Sequence, residues 1–60
     1  MDRSLEGKSC NILVSGKTQD LFFNVKRIVS VTKTHVSFLD RYNNDYYFRI
    51  EDIKEISNIR

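Results

Sequence analysis

Leu21-Phe22-Phe23-Asn24-Val25-Lys26-Arg27-Ile28-Val29-Ser30-Val31 decides the fold. The run is rich in β-branched and aromatic side chains, which suit a pleated, half-buried surface. Its odd positions Leu21, Phe23, Val25, Val29 and Val31 would share one face of a strand, interrupted by Arg27. A strand that carries Lys26-Arg27 at its middle and then resumes with Ile28-Val29 is what a β-bulge or sharp bend in a small barrel looks like. The bend is expected between Asn24 and Arg27.

On the N-terminal side, Gly7 and Gly16 bracket an apolar run. Within it Cys10, Ile12 and Val14 alternate with Asn11, Leu13 and Ser15, which predicts a first strand. Gly16-Lys17-Thr18-Gln19-Asp20 then reads as a turn. On the C-terminal side, Thr32-Lys33-Thr34 is a polar break before alternation restarts at His35-Val36-Ser37-Phe38-Leu39, with Val36 and Phe38 on one face. Asn43-Asn44 is the strongest turn signal, because asparagine tolerates the left-handed backbone that hairpins need. Beyond it Tyr46, Phe48 and Ile50 point inward, while Tyr47 and Arg49 point outward. In the tail, Ile50, Ile53, Ile56 and Ile59 recur at every third position. That spacing fits a 3₁₀ turn at Glu51-Asp52-Ile53 before a last short strand, with a C-terminal helical turn as the competing reading. Together these segments predict an all-β, five-stranded small barrel, with residues 1–60 as one domain.

Composition sets the bounds. A chain of 60 residues buries only about 60% of its extended surface on folding, so the core is small. One cysteine, Cys10, excludes an internal disulfide and a multi-cysteine zinc site. No stretch approaches the roughly 18 apolar residues that span a bilayer, and the first residues mix charges without the apolar centre of a signal peptide. A soluble, cytoplasmic protein with no membrane association is expected. Ten basic and eight acidic residues give a net charge of +2, so any electrostatic recognition must rest on a local patch.

From Asn11 to Ser57 the pattern resembles the SH3-like small barrels, in particular the Sm-like group that includes bacterial Hfq. The segments that carry the resemblance are Ile12-Leu13-Val14-Ser15-Gly16-Lys17, the long bent strand, the hairpin Val31 to Asp40, and Phe48 to Ile56. The chain departs from the group at Asn24-Val25, where a glycine is common, and at Arg49-Ile50, where Hfq carries Lys-His. An N-terminal helix would have to fit within Met1 to Lys8. The resemblance implies a binding protein, and assembly of copies through strand edges as a homo-oligomer.

Cys10, His35 and Asp40 are the ingredients of a nucleophile, base and orienter, but none lies in a local catalytic motif. A small buried cysteine and a half-solvated hairpin histidine account for them, and no enzyme is expected. Glu51, Asp52 and Glu55 lack a calcium-loop spacing and read as a solvated edge, so no metal or other cofactor is assigned. Lys26, Arg27, Arg41, Tyr42, Tyr47 and Arg49 combine cations with aromatic faces, the chemistry that binds single-stranded RNA or DNA by phosphate contact and stacking. Surface solvation is the plainer account of most of them, and Tyr47 and Arg49 look outward most clearly. The same pair equally suits a protein partner. The sequence therefore supports a nucleic-acid-binding module or a protein-protein interaction module. In the second case a stoichiometric inhibitor or adaptor, carried by a phage or mobile element, fits so short a chain.

Overall fold

Period-2 burial organises the chain in the computed structural model, which describes residues 1–60. The strands are β1 (Cys10–Val14), β2 (Leu21–Val31), β3 (His35–Asp40), β4 (Asp45–Arg49) and β5 (Ile53–Ser57), with 3₁₀ turns at Arg3–Leu5 and Ile50–Asp52. They form one antiparallel sheet in the order β4-β3-β2-β1-β5. Cys10, Ile12 and Val14 of β1 meet Val25, Ile28 and Val31 of β2 and Val36 and Phe38 of β3 in a single buried cluster. Tyr46 and Phe48 of β4 and Ile53 and Ile56 of β5 pack against it. A flat sheet cannot bring inward side chains from all five strands together, so the sheet is rolled like a barrel. No ladder joins β4 to β5, which remain its two edges.

The rolling depends on β2. Leu21 to Val25 pair with β1, and Val25 to Val31 pair with β3. The register slips between Val25 and Arg27, within the expected bend, and again between Ile28 and Ser30. These slips correct the simple odd-numbered face. The bulge moves Ile28 into the core and turns Val29 to solvent, and the second irregularity returns Val31 inward. Leu21 has inward parity but sits at the strand end and is partly exposed. Beyond the bulge, the edge of β2 that β1 has left is covered by the N-terminal segment. The Gly7 amide donates to the Ile28 carbonyl at 2.7 Å, the Ile28 amide to the Lys8 carbonyl at 2.9 Å, and the Val31 amide to the Glu6 carboxylate at 2.8 Å. The expected room for an N-terminal helix therefore holds one 3₁₀ turn and a short pairing segment.

The turns follow side-chain chemistry. Asn43 adopts φ 65°, the left-handed conformation expected of the Asn43-Asn44 turn. Gly16 is required sterically, since a methyl group there would run into the Gln19 carbonyl oxygen. The C-terminal 3₁₀ turn begins one residue earlier than expected, at Ile50, and the segment after it is a strand. Ile50, Ile53 and Ile56 pack inward, while Ile59 lies exposed beyond β5. The Ser15 amide donates to the Asp52 carbonyl at 2.7 Å, tying this turn to the end of β1.

Candidate nucleic-acid interface

The outward faces of β3 and β4 carry the first group of candidate residues. Because Val36 and Phe38 point inward, His35, Ser37 and Leu39 point outward, opposite Arg49, Tyr47 and Asp45 respectively. His35 and Tyr47 stack with their rings nearly parallel, centroids 4.7 Å apart and planes 3° apart. The His35 Nδ1 lies 2.8 Å from the Thr34 hydroxyl, a hydrogen bond that holds the ring at its edge. Tyr47 is 68% exposed, so the side of its ring away from His35 is open.

Beside this stack lies an open concavity of about 490 Å³ lined by Lys33, Thr34, His35, Arg49, Ile50 and Glu51. Its walls come from the β2–β3 turn and the start of the second 3₁₀ turn. The Ile50 amide donates to the Thr34 carbonyl at 2.8 Å and holds the two walls together. Arg49 reaches Glu51 at 3.0 Å and Asp52 at 3.3 Å, so its fork is oriented and its charge partly matched. Both pairs are exposed, and such pairs are worth only about 0–1 kcal/mol, so an incoming phosphate can displace them. Lys33 makes no ion pair.

The second group lies at the other end of β3, at the turn into β4. Arg41 stands over the Tyr42 ring, 5.1 Å from its centroid, and donates to the Tyr42 hydroxyl at 2.9 Å. That hydrogen bond, with the nearby phenolic oxygen, raises the Arg41 pKa above its already high ordinary value. Lys26, the extra residue of the bulge, donates to Asn43 at 3.0 Å. Asp40 spends both carboxylate oxygens on the turn, accepting from the amides of Tyr42 and Asn44 and from the Asn44 side chain. Desolvation works against its charged form, but these hydrogen bonds outweigh it and hold the carboxyl below its ordinary range.

The six residues singled out in the sequence thus form two clusters with a link. Tyr47 and Arg49 gather at one end of β3, Arg41, Tyr42 and Lys26 at the other, and Arg27 lies between them, opposite Leu39. Sequence reasoning missed three neighbours. His35 completes the Tyr47 stack, Lys33 supplies a free cation, and Phe22 stands 64% exposed beside Arg41 and Tyr42. Phe22 was findable, because in the strand Leu21-Phe22-Phe23 adjacent phenylalanines must face opposite sides.

The other chemistry-bearing residues lie apart from these clusters. Cys10 is buried in the core and desolvation raises its thiol pKa, which disfavours a thiolate. Glu51 and Asp52 hold Arg49, and Glu55 stands opposite Leu13 on β5. No helix is long and apolar enough to cross a membrane. No family model, curated protein or solved structure matches the chain.

Proposed function

We propose that this protein is a non-enzymatic binding module for single-stranded nucleic acid, RNA or DNA. The observation that carries the reading is the parallel His35–Tyr47 stack beside Lys33 and Arg49. Every base has a π-face, so a preformed aromatic platform accepts a base without demanding a sequence, and adjacent cations take the phosphate. The stack is already ordered, which lowers the entropy lost on binding. Kinship with the Sm-like barrels, action in the cytoplasm and assembly through the free edges of β4 and β5 belong to the same proposal.

Fluorescence anisotropy of labelled single-stranded oligonucleotides at low and moderate salt tests it. Saturable binding that weakens linearly in log salt is expected, with a slope set by the phosphates neutralised. Tyr47→Ala should weaken binding about tenfold, the scale of one lost stacking contact. Lys33→Ala should lower the salt slope. A Tyr47-dependent protein partner recovered by pull-down, with no oligonucleotide bound at tens of micromolar protein, would replace this reading with a protein-protein interaction module.

A further inference from the structure

At the opposite end of β3 from His35, Phe22, Phe23, Asn24, Asp40, Arg41, Tyr42 and Tyr46 enclose an open concavity of about 240 Å³. Phe22 and Tyr42 are its exposed aromatic walls, at 64% and 69% exposure. The Arg41 guanidinium makes no ion pair, and neither does Lys26, which donates to Asn43 of the same turn. Asp40, the acid in this concavity, directs both oxygens into the amides of its own turn. The wall therefore offers the exposed Phe22 ring and the face of Tyr42 away from Arg41, with a guanidinium that no carboxylate pairs. A planar anionic ligand, with a ring to stack and a phosphate to pair, satisfies both features. A cationic ligand would meet the rings but be repelled by Arg41, and an aliphatic anion would pair with Arg41 but leave the rings unstacked.

We infer that the Phe22–Arg41–Tyr42 concavity is a second nucleotide site, taking another base and phosphate of the same strand that stacks on Tyr47. This rests on the nucleic-acid reading above. Arg27 lies on the outer face between the two sites, opposite Leu39, and gives the intervening backbone a cation; Asp45, on the far side of Leu39, opposes it. From His35 to Arg41 the chain advances about 20 Å at roughly 3.3 Å per residue. A strand stacked at about 3.4 Å per nucleotide covers that span in about six nucleotides. The module therefore has a minimum footprint, and occupying both sites multiplies their separate affinities through the high effective concentration of the tethered second base.

Amide-resolved NMR titration of the ¹⁵N-labelled protein tests this with an oligouridylate trinucleotide and a dodecanucleotide, on wild type, Arg41→Ala and Tyr47→Ala. The trinucleotide should shift two separate groups of amides in wild type, around Lys33–His35 and Tyr47, and around Phe22 and Arg41–Tyr42. The dodecanucleotide should bind at least tenfold tighter than the trinucleotide. Arg41→Ala should abolish the second group of shifts and most of that gain, while the first group persists. Phe22→Ala, on the outward face of β2, provides a second route to the same result, and unchanged amide dispersion certifies folding in each variant. Shifts confined to the Tyr47 end, with a length gain that survives Arg41→Ala and Phe22→Ala, overturn the second site and leave the first. Shifts confined to the Arg41 end that survive Tyr47→Ala uphold the second site and remove the first. No shift with either oligonucleotide removes both and directs the surface to a protein ligand.

Discussion

The Glu6 carboxylate accepts the Val31 amide at 2.8 Å across a gap of 25 residues. It substitutes a side chain for the strand that β2 lacks once β1 has ended. Removing it leaves a half-buried amide without its partner, a change that costs about 1–3 kcal/mol. Glu6→Ala should lower stability by that amount in urea unfolding. In a domain this small, each kcal/mol corresponds to a Tm decrease of about 4–8 °C.

The two glycines should respond differently to the same substitution. Gly16→Ala forces the new methyl against the Gln19 carbonyl, and the β1–β2 turn must open, at a cost of about 1–3 kcal/mol. Gly7 has open space around it but φ +85°, so Gly7→Ala meets only the left-handed backbone penalty of about 1–2 kcal/mol. Proline scanning cannot separate these causes, but D-alanine at each position can. At Gly7 a D-residue should recover stability, and chemical synthesis of a 60-residue chain makes the measurement accessible.

Acid should act through the β3–β4 turn. The Asp40 carboxyl titrates below its ordinary value of 3.8 in the folded protein. Its contribution to stability is therefore complete above that value and is lost as pH falls through the lower folded value. Urea midpoints recorded from about pH 6 to about pH 2 should fall in this range, and Asp40→Asn should flatten that part of the profile. An equal decline in Asp40→Asn would assign the acid sensitivity to other carboxyls.

Cys10 should be silent to thiol reagents in the folded state. The residue is 4% exposed and its pKa is raised by desolvation. Modification by a disulfide reagent at neutral pH should proceed at the rate of global opening and become fast in denaturing urea. Rapid native-state labelling would contradict the burial.

Much of this fold is legible in local chemistry. Alternation in Cys10–Val14 and His35–Phe38 identifies two strands and their inward faces, and Asn43-Asn44 supplies its turn with a left-handed residue where one is required. The interruption at Lys26-Arg27 locates the bulge, but not its effect on parity. Whether Ile28 or Val29 faces the core depends on how many residues the bulge absorbs, which is a matter of pairing with Leu39 and Phe38. The site was half legible for a similar reason. Outward pointing of Tyr47 and Arg49 follows from period 2. The His35–Tyr47 stack is a cross-strand relationship set by register, and the approach of Phe22 to Arg41 depends on how the sheet rolls.

The strand order also prescribes a sequence of events in time. β2, β3 and β4 are joined by short turns, so their ladders close small loops, and closing small loops is entropically cheap. The β1–β5 ladder joins Asn11 to Ser57 and must close almost the whole chain. The three-stranded meander is therefore the expected folding nucleus, with β5 docking onto β1 after the rate-limiting step. Truncations of Ile56 should accelerate unfolding and leave the folding rate nearly unchanged, whereas truncations of Phe38 should slow folding itself.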